Sequence, residues 1–505
     1  MLLAGCATVG GVPSEQKLSR HVDVASMQRA TAWFEAHRHR PTLMRTFIQR
    51  MPKGGDIHTH VSGAVYAESY IAWAAEENLC VVRATGAITP RPCTTAEGKK
   101  PPIRQAYKDN TLYNAIVDAL STRNLAWAGR SGHDQFFAAF TKFDAGSPGD
   151  RVAELSTRAA TQSVIYVEAM LTLRSSEVRE LGRHVGFDRD LAAVREKLLA
   201  AGLRREVDTG RRDLDATEAR VNAVLQCQGD QPQPGCLVTR RYLQQSTRTG
   251  PLAEVYAQLV YAFELARADR RVVGLNLVGP EDHPTAMYDY TQHMEMLGFL
   301  TANFPEVNIA LHAGELTLGL VPPGDLRFHI HQAVHLARAK RIGHGVDISY
   351  EDDALQLMSE MRRRGVLVEI CLTSNDVILG VKDAQHPFPD YWQAGVPVTL
   401  ATDDEGVSRI DFSNEYWRAA TTYGLGYRDL KTLARNSLTY SFLPGASLWH
   451  SLTPLRAVDA CANDPLGSAT PSASCQAFLH ANDRARLQWQ LEQEFVTFEG
   501  LPWWQ

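Results

Sequence analysis

The sequence is short of several things. No apolar run approaches the roughly 18 residues of a membrane-crossing helix, so none is expected. Lys and Arg form no block, and a net charge of −5 offers no basic footprint for a nucleic-acid backbone. Nucleic acid is therefore not an expected partner. No glycine-rich phosphate loop is present, which argues against a nucleotide cradle of that type. The absence of an internal repeat argues against a solenoid. No Cys-x-x-Cys pair occurs among the eight cysteines, which removes the thiolate zinc modules. What is left is an ordinary globular composition, 44% hydrophobic and 22% charged. The chain is long enough for one large domain or a few ordinary ones.

Six of the eight cysteines fall into close-spaced pairs, Cys80/Cys93, Cys227/Cys236 and Cys461/Cys475, in polar segments with Pro and Gly. Loop disulfides in an oxidising compartment are one reading; unpaired cytosolic thiols are the other. Cys371 sits in an apolar run and reads as a strand residue. Cys6 follows Leu3-Ala4-Gly5 in the pattern of a bacterial lipobox, whose cysteine is lipidated after signal cleavage. Only five residues precede it, without a basic start or much apolar sequence, so this reading places the natural start upstream. Ala7 stands where an Asp would favour the inner membrane. The expectation is an exported protein, periplasmic or held at the outer membrane by lipid on Cys6.

Taken in order, residues 1–23 read as this start and a flexible tether, and 24–50 as an appendage of two helices. Residues 51–445 read as the main domain, with insertions near 83–130 and 203–236, and 446–505 as an extension ending in Trp503 and Trp504. Within the main domain, short β-favouring runs alternate with helical periodicity. The runs centre near residues 57, 166, 240, 275, 309, 342, 368 and 398, and polar residues close most of them. Helices are expected over 188–201, 211–225, 252–268, 286–303, 325–339 and 352–364, among others. Eight strands of this kind predict a parallel α/β fold, a (β/α)8 TIM barrel.

A barrel gathers its strand ends at one rim, so residues far apart in sequence become neighbours. The first run ends in His58-Thr59-His60; two histidines two apart on a strand share a face. The fifth ends in His312-Ala313-Gly314-Glu315, the sixth in His344, the eighth in Asp403-Asp404. Each alone has an ordinary explanation. His-x-His occurs in loops, a buried strand-end His is often structural, and Asp-Asp pairs cap helices and turns. Together, His58, His60, His312 and Asp403 form a three-His, one-Asp donor set for a divalent ion, one Zn2+ per chain, with a position open for water. Such an ion lowers the pKa of water to about 7. His344 would orient or deprotonate that water, and Glu315 would protonate the substrate.

These motifs resemble the adenosine deaminase family of the amidohydrolase superfamily, and within it the secreted branch of adenosine deaminase-related growth factors. The likeness runs through Met51-Pro52-Lys53-Gly54, His58-Thr59-His60, Val273 to Asp282, His312 to Glu315, Arg341-Ile342-Gly343-His344-Gly345, Glu369 to Asn375, Asp403-Asp404 and Asn436 to Ser441. It covers roughly residues 45–445. The resemblance implies zinc on His58, His60, His312 and Asp403, and Glu315 protonating purine N1. It further implies His344 beside the attacking oxygen, Asp404 on N7, and the Gly279 N–H on N3. The implied activity is hydrolytic deamination of adenosine or a related 6-aminopurine nucleoside to the inosine-type product and ammonia. It also implies a homodimer through the N-terminal helices; a helical cap on the barrel is the alternative. Three departures stand out. Val61-Ser62-Gly63 carries no acid after the second His, where the family has one that helps hold ribose. Leu372 and Glu405 replace two usual prolines. Deamination of another 6-aminopurine therefore stays open. A binuclear amidohydrolase normally needs a bridging Lys, and 237–243 and 272–278 have none. A non-catalytic nucleoside binder would have no use for Glu315 and His344.

Overall fold

The computed structural model describes residues 24–94 and 99–502. Cys6, the tether, Trp503 and Trp504 lie outside the described residues. The barrel strands are β1 (Gly54–His60), β2 (Val164–Leu171), β3 (Thr239–Thr247), β4 (Val272–Val278), β5 (Asn308–Ala313), β6 (Arg341–His344), β7 (Leu367–Ile370) and β8 (Val398–Leu400). They pair in parallel in that order. The sheet closes where Thr59 bridges Asp403. There His60 N–H donates to Asp403 C=O at 3.0 Å and Asp403 N–H to His58 C=O at 2.9 Å. The expected (β/α)8 barrel is therefore present, and its seam carries three of the expected metal-ligating residues.

Strands buried on both sides read as continuous apolar runs, which is why most were visible in the sequence; β1 is entirely buried although it reads Gly-Gly-Asp-Ile-His-Thr-His. Polar residues on its interior face are tolerated because each finds a partner.

Several helices differ from expectation. The 286–303 helix is two, Pro284–Tyr288 and Tyr290–Asn303, separated at Asp289. Only His329–His335 of 325–339 is α-helical, after a short 3₁₀ turn Pro323–Leu326. The helices expected at 188–201 and 211–225 are joined: Leu191–Leu198, a π-turn Leu199–Leu203 and Arg204–Val224 run on, with a kink at Gly202 (φ +122°). Cys371 is not in a strand; it precedes the helix Leu372–Leu379. All three expected cysteine pairs are disulfides, and Cys371 is the free, buried thiol among the described residues.

The N-terminal helices Val24–His37 and Pro41–Arg50 pack on the barrel's own chain. Phe47 meets Tyr427 at 5.3 Å and Phe498 at 5.0 Å between ring centres. Among the described residues no helix is long and apolar enough to cross a membrane.

Candidate active site

The strand ends bring the expected ligands together. Donor atoms of His58, His60, His312 and Asp403 all lie within 4.8 Å of one another, and all four residues are buried. Asp403 Oδ1 is 3.4 Å from His58 Nε2 and 3.2 Å from His60 Nε2, which is 3.2 Å from His312 Nε2. Three imidazole nitrogens and a carboxylate facing one point are a nitrogen–oxygen donor set of the kind that holds zinc.

The far side of each ligand is anchored. His58 Nδ1–H donates to Glu369 Oε2 at 2.5 Å. His312 Nδ1–H donates to Asn276 Oδ1 at 2.8 Å, the Gln245 amide lies 2.8 Å from His60 Nδ1, and Ser374 Oγ–H donates to Asp403 Oδ2 at 2.6 Å. A donating Nδ1–H leaves the Nε2 lone pair free for a cation and fixes the ring's direction. His58 Nε2 is buried and makes no hydrogen bond among the described residues. Such an atom is costly unless something else satisfies it, and a divalent ion at this point would do so. The residues fit the metal.

The electrostatics agree. Burial penalises the His58 cation, yet the nearby Asp403 and Glu369 carboxylates pull its pKa up to about 10. Burial and the neighbouring His58, His344 and His60 push His312 well below the usual range. Burial alone would raise Asp403, but His58 and His60 hold it well below its ordinary value. The cluster is thus an anionic pocket among imidazoles that cannot all be protonated, and a divalent cation can replace the proton it would otherwise hold.

Two further buried carboxyls are shifted toward their neutral forms. Burial, then the charges of Asp403 and Glu281, push Glu315 well above the carboxylate range. Burial and the adjacent Asp403 do the same to Asp404. Glu315 Oε1 is 3.6 Å from His344 Nε2. Asp404 Oδ1 is buried without a hydrogen-bond partner among the described residues and packs against Gly63, where a Cβ would come to 1.5 Å from it. Two site residues sit in the left-handed backbone region that non-glycine residues seldom adopt, His344 at φ +68° and Asp403 at +58°. Strain of this kind persists only where its surroundings over-determine it.

Other residues were missed as functional from sequence. Arg248, just past β3, is fully buried. Its N–H donates to Val278 C=O at 3.0 Å, its Nε to Gly279 C=O at 2.9 Å, and a terminal nitrogen to His312 C=O at 3.2 Å. Val278 C=O and Gly279 N–H share one peptide plane, so Arg248 sets the direction of the Gly279 N–H. Glu281 receives the N–H of Gly314 at 3.1 Å and of Glu315 at 2.8 Å, which fixes the turn that presents Glu315. A charged residue closing a strand was the available signal for Arg248.

A helix just after the first insertion, Gly132–Ala139, packs on the loops that follow β7 and β8. Phe136 and Ala139 pack on Ile378 and Val407. His133 Nε2 is 3.0 Å from Asp282 Oδ1, in the loop that follows Gly279.

Comparison with known proteins agrees with this geometry. Residues 154–448 match the family model described as adenosine deaminase. An adenosine deaminase of Enterococcus faecalis is 34% identical over 174 residues, covering 34% of this chain and 46% of that protein. One of Mycobacterium sp. (strain KMS) is 28% identical over 341 residues, covering 63% and 86%. Among solved structures, Arabidopsis ADAL complexed with GMP aligns at 21% identity and a TM-score of 0.49, covering 79% of this chain and 94% of that one. The family model spans more than half of the sequence, and the chain belongs to the adenosine deaminase family, hydrolases of C–N bonds in cyclic amidines.

Proposed function

We propose that the protein hydrolyses the 6-amino group of adenosine, or of a related 6-aminopurine nucleoside, to give the inosine-type product and ammonia. The observation that carries this reading is the pattern of donors around the metal ligands. Purine N1, N3 and N7 are all acceptors. Burial and neighbouring charge raise the Glu315 and Asp404 carboxyls and so favour their protonated forms, and the Gly279 N–H is fixed by Arg248. Three donors would meet three acceptors, and a base with a protonated N1 would be rejected by Glu315.

One Zn2+ on His58, His60, His312 and Asp403 would supply a polarised water that is nucleophilic at neutral pH. Glu315 gives its proton to N1 as water adds at C6, so the ring's negative charge is neutralised as it develops. His344 holds the attacking oxygen. One proton of the water restores the Glu315 acid and the other passes to the amino group, so that the C6–N bond breaks and ammonia leaves. Burial excludes bulk water and strengthens each of these contacts.

The sugar side is less determined. Val61-Ser62-Gly63 supplies no acid, so ribose would be held by neutral groups, and adenine or a modified nucleoside remains the second reading. Loss of absorbance at the purine band, run in parallel with adenosine, 2′-deoxyadenosine, adenine and AMP, tests both readings. The first requires adenosine to lead. Adenine leading would establish the second, and no turnover by zinc-loaded protein would leave a nucleoside binder. The same proposal includes export with lipid on Cys6, supported by the three disulfides and tested by the mass of the mature N-terminal peptide. It also includes a homodimer through the outer faces of the N-terminal helices, tested by light scattering.

A further inference from the structure

Behind His344 runs a buried chain of side chains that the reading above leaves without a role. His386 follows a short 3₁₀ turn, Asp383–Gln385, and is 2% exposed. It reaches Asn375 on the helix Leu372–Leu379, and Asn375 reaches His344 at the end of β6; both of these are fully buried.

The direction of every hydrogen bond in this chain follows from one fixed donor. The backbone N–H of Phe388 can only donate, and it lies 3.1 Å from His386 Nδ1. That nitrogen is therefore bare, and the proton of the neutral ring sits on Nε2. Burial, with Arg418 and His344 adding to it, drives the His386 pKa down to about 3, so the ring is neutral. His386 Nε2–H donates to Asn375 Oδ1 at 3.0 Å. This orients the amide, with carbonyl toward His386 and NH2 toward His344. Asn375 Nδ2 then donates to His344 Nδ1 at 3.0 Å. His344 Nδ1 is an acceptor, and its proton is confined to Nε2. That atom is buried, makes no hydrogen bond among the described residues, and is 3.6 Å from Glu315 Oε1.

We propose that His386 is a positioning residue that acts through Asn375 to hold His344 in its Nε2–H tautomer, so that His344 presents a donor to the attacking oxygen rather than a base. The role of that oxygen rests on the deaminase reading; the tautomer does not. A histidine's partner at one nitrogen decides what the other can do, and an amide in place of a carboxylate is what selects the bare Nδ1 here.

The test uses zinc-loaded full-length protein labelled with 15N-histidine, with the His344 ring signals identified by their loss in His344→Gln. The wild type is expected to show a protonated Nε2 and a bare Nδ1 at His344. In His386→Ala the amide is released and the His344 tautomer becomes mixed, with kcat lower by about 10- to 100-fold, the range for residues that orient others in metal sites. KM and zinc content stay unchanged. His386→Gln, whose amide reproduces the Nε2–H donor, restores both the signal and most of the rate. Asn375→Asp reverses the chain, because a carboxylate accepts from Nδ1–H. It moves the proton to Nδ1 and lowers kcat by ~10²-fold or more, as a wrong tautomer does. A wild-type spectrum with the proton on Nδ1 overturns the proposal, and so does a His386→Ala spectrum unchanged from wild type. If no 6-aminopurine is turned over, the deaminase reading fails, while the wild-type, His386→Gln and Asn375→Asp spectra still decide the tautomer.

Discussion

The floor of the site and its mouth are held by different contacts. On the floor, His58, His60, His312 and Asp403 each touch a second buried group, Glu369, Gln245, Asn276 and Ser374. These contacts come from six strands or their ends and leave little room for change. Glu369 is itself braced, with Arg341 Nε at 2.6 Å and Arg341 in turn 2.7 Å from Glu168. At the mouth, the helix Gly132–Ala139 rests on an apolar cluster and reaches the loop after β4 through His133 and Asp282. The floor fixes what chemistry can occur, whereas the mouth fixes which molecule reaches it. The departure from family pattern at Val61-Ser62-Gly63 directly follows His60, with Gly63 packed on Asp404, while His58, His60, His312 and Asp403 are all brought together.

If that division is right, changes to the floor remove catalysis and changes to the mouth alter selectivity. The largest effect is expected from Asp403→Ala. It removes a proposed ligand and leaves the main-chain contacts of the closing seam in place, so the dialysed protein should retain no stoichiometric zinc by elemental analysis and turn over at background. Zinc retained at one per chain would contradict the assigned donor set.

Glu315→Gln keeps the shape and removes the proton. We expect kcat to fall by about 10²–10⁴ with zinc content unchanged. Glu315 acts in its protonated form, and its raised pKa means that form persists above the ordinary carboxylate range. Wild-type activity should therefore be lost as pH rises through that raised value, and the residual rate of the variant should lack this limb.

Glu369→Gln leaves His58 in place and weakens its orientation. Metal affinity should fall by about 10- to 100-fold, read by competition with a chelating dye, while saturating zinc restores most of the rate.

The smallest effect is expected at the mouth. Asp282→Asn removes the charge that, more than any other group, raises the His133 pKa. The His133 contact in the wild type is present below the unfolded pKa of histidine and is lost as pH rises through the raised folded value. KM should change by a few-fold with kcat held, and the wild-type KM should depend on pH where that of the variant does not. A matching loss of kcat would place this contact on the floor instead.

The strands were legible because strands covered on both sides are short apolar runs, and the candidate metal-ligating residues because they close those runs. The helices were less so. Asp289 and the Phe328 region interrupt periodic stretches at turns that depend on tertiary contacts; Glu351, for example, receives Ile330 N–H at 2.5 Å. Cys371 looked like a strand residue because its apolar run continues past the point where pairing stops. The supporting shell was hardest to read. Gln245 and His386 carry no local pattern and acquire meaning only when the barrel brings them beside His60 and Asn375. Arg248 and Glu281 sat in plain view, but their partners are backbone groups 30 or more residues away.

The most direct test of the account is ammonia release from adenosine by zinc-loaded wild-type protein and by Glu315→Gln at equal zinc content. The account predicts one ammonia for each adenosine consumed by the wild type, and at least a ~10²-fold slower release by the variant. Ammonia released at equal rates by both, or none from any 6-aminopurine nucleoside by wild-type protein carrying one zinc per chain, would contradict it.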